Sequence, residues 1–269
     1  MIKLIASDLD GTLLQNGAQE LTPRAVQLIH RLTQAGIRFA AASGRQYDNE
    51  RRMFHEIEDE ISYIAENGSL CIHQGKVIRR GVIPDELAER IIREIRKEPG
   101  FEIVVSREEA CYIEDNNSAF TDLIVNQMKN TTRIVTDISQ IKGSILKIAV
   151  GNTTTRDLRD YLQHLQEEFS SEIDVVTSEN IWIDFVVPGY NKGTALQSLL
   201  DCLHITPEEC MAFGDQYNDV EMLQLAGISY AMENAAPGMK EYANRVTDSV
   251  EDVLESILEE LDHFNSTTA

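Results

Sequence analysis

Apolar residues fall along this chain in two rhythms. Short, nearly continuous apolar runs stand at Ile2–Ala6, Ile37–Ala42 and Tyr63–Ala65. Runs of this kind read as strands covered on both faces, as in a parallel sheet. Between the first two, Ala25, Val26, Ile29, Leu32 and Ala35 recur at helical spacing. Thr22-Pro23 opens that helix and Gly36 ends it. Residues 46–57 also read as helix. The order strand, helix, strand, helix, strand predicts a parallel sheet with right-handed crossovers.

The pattern then changes. A strand is expected over Val77–Val82 and a helix over Asp85–Lys97, with Leu87, Ile91, Ile92 and Ile95 on one side. Phe101–Val105 and Cys111–Ile113 read as a hairpin, and residues 117–129 as helix. Strand Ile145–Val150, helix Thr153–Phe169 and strands Ile173–Thr177 and Ile181–Val187 follow, the last two separated by Ser178-Glu179-Asn180. Helix, strand, strand thus occurs twice, which is antiparallel α+β grammar. Tyr112, Tyr161 and Trp182 read as its core. Pro188-Gly189 marks a return to helix (Lys192–Leu200), buried strand (Cys210–Phe213), short helix (Val220–Ala226) and strand (Ile228–Ala231). An acidic amphipathic helix over Val250–Phe264 and a disordered tail, Asn265–Ala269, close the chain. The expected fold class is α/β: a Rossmann-like parallel-sheet core, residues 1–82 and 189–269, with an α+β domain, residues 83–188, inserted in it.

Charge narrows the partners. The net charge of −21 argues against nucleic acid, whose phosphates need clustered Lys and Arg. The basic residues Arg90, Arg93, Arg96 and Lys97 alternate with Glu86, Glu89, Glu94 and Glu98 and read as a solvated helix face. A phosphorylated small molecule stays open, because a bound divalent cation can reverse the local sign. Cys71, Cys111, Cys202 and Cys210 form no metal-type pair, which argues against zinc. Scattered thiols, no secretory signal and no membrane-length apolar run point to a cytoplasmic protein.

The chemistry lies at the strand ends. The first run ends in Asp8-Leu9-Asp10-Gly11-Thr12, the second in Ser43-Gly44-Arg45 and the third in Glu66-Asn67-Gly68. Cys210–Phe213 ends in Gly214-Asp215-Gln216-Tyr217-Asn218-Asp219, and Lys192 stands at a helix start behind Asn191. Each piece alone has a plainer reading: Asp10-Gly11 as a turn, Asn67-Gly68 as a hairpin signal, Lys192 and Arg45 as surface cations, Asp219 as a helix-start acid. In a parallel sheet, however, these ends open on one edge. Four carboxylates there repel one another, and a divalent cation relieves them. Oxygen ligands without His or Cys favour magnesium. Magnesium, a lysine and a hydroxyl together bind phosphate, and a carboxylate within reach of phosphorus can act as a nucleophile.

In this order, Asp8-Leu9-Asp10-Gly11-Thr12, Ser43, Lys192 and Gly214-Asp215-x-x-Asn218-Asp219 resemble the four motifs of the haloacid dehalogenase (HAD) superfamily. The insertion is similar to the large α/β cap (C2B type) of its Cof-like phosphatases. Ser43 stands where many relatives have Thr, and Asp184 where they often have Glu. The resemblance implies a phosphatase for a small phosphorylated metabolite, working through an aspartyl-phosphate. It makes Asp8 the nucleophile and Asp10 the proton carrier. Asp8, the backbone carbonyl of Asp10, and Asp215 would bind magnesium. Ser43 and Lys192 would hold the phosphoryl group, and Asp219 would orient Lys192 or a metal-bound water. Asn191, Asn218, Gly44, Arg45 and Asn67 are supporting contacts. Two alternatives share this core: a sugar phosphomutase and a non-catalytic phosphosugar-binding regulator, the latter disfavoured by the intact acid pair. A dehalogenase is disfavoured because such relatives lack the second acid, here Asp10.

Overall fold

The computed structural model describes residues 1–114, 117–152, 158–178 and 182–268. The expected helix start at Thr153, Glu179 and Asn180 of the expected turn, and the expected strand start at Ile181 lie outside them. In chain order the elements are β1 (Leu4–Ser7), α1 (Pro23–Gln34), β2 (Arg38–Ala42), α2 (Tyr47–Met53), β3 (Ser62–Ala65), β4 (Leu70–His73) and β5 (Lys76–Arg80). Then come α3 (Asp85–Ile95), β6 (Phe101–Ser106), β7 (Cys111–Glu114), α4 (Ser118–Asp122), β8 (Thr132–Val135), β9 (Lys147–Asn152), α5 (Leu158–Phe169), β10 (Asp174–Ser178) and β11 (Trp182–Val186). The chain closes with α6 (Lys192–Leu203), β12 (Cys210–Gly214), α7 (Val220–Leu225), β13 (Ile228–Met232), β14 (Arg245–Thr247) and α8 (Val250–Thr268).

Two compact units result. The first holds Met1–Gly44, Glu50–Arg79 and Asn191–Ala269, and the second Arg45–Asn49 and Arg80–Tyr190. The sequence pattern offers no counterpart for the placement of Arg45–Asn49.

The first unit is built on an eight-stranded sheet in the order β14-β13-β12-β1-β2-β3-β4-β5. From β14 to β3 every pairing is parallel. β1 lies between β12 and β2, and all four of its residues are buried, which is why it reads as a nearly continuous apolar run. α6 and α7 cover one face with Ala195, Leu196, Leu199, Leu200, Met222 and Leu223, against Leu4, Ala6, Ala40 and Ala212. α1 starts where Thr22 accepts a hydrogen bond from the Ala25 N–H (2.9 Å) and buries Ala25, Leu28, Ile29 and Leu32. The later strands lie on one side of β1 and β2–β5 on the other, so the carboxyl end of β1 is the switch point where open α/β sheets hold ligands.

Three strands escape the apolar pattern. β4 pairs antiparallel with β3 through the Glu66–Gly68 turn; the hairpin signal of Asn67-Gly68 is therefore real. β8 and β14 are edge strands with mostly exposed or half-exposed residues, so they carry no strong burial period. At the end of the chain, α8 runs through Thr268 rather than stopping at Phe264. No Gly or Pro follows Phe264 to break it.

The second unit is a six-stranded sheet in the order β10-β11-β9-β6-β7-β8. It is mixed rather than antiparallel throughout, because β8 joins β7 in parallel. α3 and α5 cover one face with Ile91, Ile92, Ile95, Leu165 and Phe169, and Tyr112 and Tyr161 are part of that core. Phe120 and Ile124 cover the other, against Val104, Cys111, Ile113 and Ala149, with Trp182 packed at its margin. On the exposed side of this unit, Arg90 pairs with Glu172, Arg96 with Glu114 and Asp137, and Lys97 with Glu94, which keeps the basic residues in a solvated charge network.

Gly68 is where the first unit tolerates least. Its φ is +89°, and a Cβ there would lie 2.2 Å from the Asn191 carbonyl oxygen. Gly68→Ala therefore meets both a left-handed backbone and a main-chain clash, and should destabilise the protein by more than about 1 kcal/mol. A urea-denaturation midpoint equal to wild type would contradict this packing.

Candidate active site

The first unit gathers most of the strand-end residues. β1 delivers Asp8, whose N–H donates to the Phe213 carbonyl of β12 (3.0 Å). The chain then turns tightly: Gly11 N donates to Leu14 O (2.8 Å) and Leu14 N to Leu9 O (2.7 Å). Gly11 has φ +86°, and a Cβ would meet Asp215 Oδ2 at 2.3 Å. Glycine is thus required by conformation and by the approach of a second carboxylate. Asn234 Nδ2 donates to the Gly11 carbonyl (2.9 Å) and holds the turn.

Lys192 is the positive centre. It is the first residue of α6, after the cap in which Thr194 N donates to Asn191 Oδ1 (2.8 Å) and Asn191 N to Thr194 Oγ1 (3.1 Å). A cation at a helix N-terminus opposes the helix dipole, and this one is 99 % buried, with 1 % relative exposure. Two carboxylates offset that cost: Lys192 Nζ lies 2.5 Å from Asp8 Oδ1 and 2.6 Å from Asp219 Oδ1. Burial alone would lower the lysine's pKa, but the charges of Asp219 and Asp8 outweigh it and hold it above the ordinary value.

The carboxylates are held unequally. Asp219 Oδ2 accepts from the N–H groups of Asp215 (2.9 Å) and Gln216 (3.0 Å); with Lys192, both of its oxygens are engaged. Asp215 accepts from Thr12 Oγ1 (3.0 Å) and Gln216 Nε2 (3.2 Å). Asp8 Oδ2 is buried without a hydrogen bond. Burial pushes the Asp8 carboxyl well up; Lys192 pulls it down, and Asp219 and Asp215 raise it again. Burial and then Asp219 raise Asp215. Both shifts begin with burial, and the neighbouring carboxylates add to them.

Asp8, Asp215 and Asp219 each offer an oxygen within 4.8 Å of the others. A set of hard oxygens, one with an unmet hydrogen-bonding capacity, fits a divalent cation of the magnesium type. The Asp10 carboxylate stands outside that group and is partly exposed; its expected metal contact is through the main-chain carbonyl. Thr12 and Gln216 are contacts that the sequence pattern does not assign. They lie inside the two motifs, but nothing in their spacing says that both reach Asp215.

A second group adjoins the first. Ser43 is buried at the end of β2, where its N–H donates to Ile64 O (2.9 Å) and its carbonyl accepts from Asn67 N (3.0 Å). Asn67 Oδ1 accepts from Asn218 Nδ2 (3.1 Å), and a Cβ on Gly44 would meet Asn67 Oδ1 at 2.9 Å. Glu66 and Asn67 both take left-handed φ, 51° and 56°, an uncommon strain for non-glycine residues. Arg45 belongs to the second unit, where its guanidinium donates to Asn49 Oδ1 (3.3 Å).

A model of the haloacid dehalogenase-like hydrolases matches residues 5–261. The 5-amino-6-(5-phospho-D-ribitylamino)uracil phosphatase YbjI of Escherichia coli K12 is 30% identical over 235 residues, 87% of this chain and 86% of the relative. An HMP-PP phosphatase of Cronobacter sakazakii is 31% identical over 242 residues, 88% and 86% of the two chains. The crystal structure of a haloacid dehalogenase-like hydrolase from Bacteroides thetaiotaomicron superposes with a TM-score of 0.83 at 26% identity, covering 96% of this chain and 100% of that one. With the parallel core sheet, the second mixed sheet and the buried acid cluster, these matches show that the chain belongs to the haloacid dehalogenase-like hydrolases, as a phosphatase of the Cof-like type.

Proposed function

We propose that this phosphatase hydrolyses a small phosphorylated metabolite by way of an aspartyl-phosphate on Asp8, with magnesium as cofactor. The observation that carries the reading is the state of Asp8: one oxygen is fixed on buried Lys192 at 2.5 Å, and the other is buried with no hydrogen bond. An immobilised carboxylate oxygen with an unsatisfied lone pair is a nucleophile in waiting.

In the first step an Asp8 oxygen attacks phosphorus, and the bond from phosphorus to the leaving oxygen breaks. Asp10 gives its proton to that oxygen. In the second step Asp10 takes a proton from water as the water attacks phosphorus, which frees phosphate and restores Asp8. One of two close carboxylates can hold the proton this exchange needs. Ser43 and Lys192 bind the transferring phosphoryl group and neutralise its charge, the main demand of phosphoryl transfer. Asp219 holds Lys192 and the 215–216 backbone in place. Asn218, Asn67, Asn191, Gly44 and Arg45 contribute contacts around the phosphoryl group. Asp8, the Asp10 carbonyl and Asp215 would hold magnesium, which supplies Lewis-acid charge at the phosphoryl oxygens.

The mixed-sheet unit is the part that would select the leaving group. The named relatives act on a phosphoribitylaminouracil and on HMP-PP. We place the substrate of this chain in the same class, a phosphate ester of a small cofactor-like or sugar-bearing metabolite.

Asp8→Asn should keep the circular-dichroism spectrum and lose release of phosphate from p-nitrophenyl phosphate by on the order of 10³-fold or more. Turnover near wild type in that variant would remove Asp8 from the mechanism. Excess chelator should abolish activity and magnesium should restore it. Magnesium should also raise the melting temperature of wild type by mass action, and raise it less or not at all in Asp215→Asn. Activity that survives exhaustive chelation would contradict the metal assignment.

A further inference from the structure

The loop after β13 belongs to none of the motifs that supply the site, yet it meets two of them. Asn234 Nδ2 donates to the Gly11 carbonyl (2.9 Å). Two residues on, the Ala236 N–H donates to the Asp215 carbonyl (2.9 Å), and the Tyr217 hydroxyl donates to the Pro237 carbonyl (2.7 Å). All of these residues lie in the first unit.

The loop is braced from its own side. Glu233 N donates to Thr247 O of β14 (2.8 Å), Ala235 N to Met232 O (3.1 Å) and Met239 N to Ala236 O (3.0 Å), and the Met239 side chain is fully buried. The loop is therefore a fixed point against which the turn after β1 can be held.

That turn needs one. Gly11 has φ +86°, and a residue with no Cβ places little steric limit on its own torsions. Hydrogen bonds set its two main-chain groups instead. The Gly11 N–H donates to Leu14 O (2.8 Å). In a trans peptide the N–H and the preceding carbonyl point opposite ways, so this bond turns the Asp10 carbonyl away from Leu14. The Gly11 carbonyl, held by Asn234, shares its peptide plane with the Thr12 N–H, which donates to Leu9 O (3.2 Å). Thr12 in turn donates through Oγ1 to Asp215 Oδ1 (3.0 Å). Asn234 thus fixes the peptide that stands between the Asp10 carbonyl and the hydroxyl that orients Asp215, and Ala236 fixes the Asp215 main chain.

We infer that Asn234 is a positioning residue for the magnesium site, and that the loop after β13 sets the preference of that site for magnesium over calcium. The inference rests on the reading that the Asp10 carbonyl and Asp215 hold magnesium. Magnesium demands near-octahedral geometry at about 2.1 Å, whereas calcium accepts flexible arrangements of oxygens at about 2.3–2.6 Å. A turn freed at Gly11 loses the stricter ion first.

The test is isothermal titration of the folded enzyme with magnesium chloride and, separately, with calcium chloride, without substrate. Asn234→Ala should raise the magnesium Kd about five- to tenfold, the scale of one lost hydrogen bond, and the calcium Kd less than about twofold. Asn234→Gln, which keeps the amide donor, should recover part of the loss. Tyr217→Phe, which removes only the bond to Pro237, should shift the magnesium Kd in the same direction by a smaller factor, and it decides the matter if Asn234→Ala does not fold. Asp215→Asn is the reference and should lose magnesium binding. If it does, a magnesium Kd that is unchanged in the deciding variant, or raised equally with that of calcium, would overturn the inference and leave the metal assignment standing. If Asp215→Asn binds magnesium as wild type does, the metal assignment fails and the inference falls with it.

Discussion

A single lysine ammonium shared between two carboxylates organises the first unit. Lys192 Nζ touches Asp8 at 2.5 Å and Asp219 at 2.6 Å, and all three side chains are buried. Burying such charges is expensive, and breaking a buried pair by removing one partner typically costs about 3–5 kcal/mol. The surrounding architecture makes the arrangement possible. β1 and β12 pair in register and bring Asp8 and Asp215 to the same sheet edge, and the capped start of α6 sets Lys192 between the acids. Gly11 leaves room for the Asp215 carboxylate against the turn.

The same balance explains why the cluster is suited to chemistry rather than to stability alone. One lysine stands among three buried acids, and burial, with the neighbouring carboxylates adding to it, raises the pKa of Asp8 and Asp215. A divalent cation and a phosphoryl dianion are the two charges such a site can accommodate together. Asp219 is the member whose oxygens are already fully engaged, by Lys192 and by two backbone N–H groups. That division leaves Asp8 and Asp215 as the carboxylates with capacity to spare.

Much of this was legible in the sequence because burial leaves a pattern. β1, β2, β3 and β12 are mostly apolar, so their ends could be located to within a residue or two, and the polar residues at those ends stood out. The edge strands β8 and β14 left no such pattern, since half or more of their side chains face water. The parallel attachment of β8 to β7 depends on a crossover through α4 that periodicity does not specify. Side-chain networks were the least readable. Thr12 and Gln216 reach Asp215, and Gln46 pairs with Thr131, 85 residues away, yet amide and hydroxyl contacts of that kind obey no spacing rule. The division of labour between Asp8 and Asp10 came from resemblance to a family, not from the pattern of residues.

The central claim is that phosphorus passes through a covalent bond to Asp8. It is tested most directly by acid-quenching the enzyme during turnover of p-nitrophenyl phosphate and sequencing its peptides by mass spectrometry. The account predicts a phosphoryl group on Asp8, stable in acid and released by hydroxylamine. Rapid turnover with no phosphorylated peptide, or with the phosphoryl group on another residue, would contradict it.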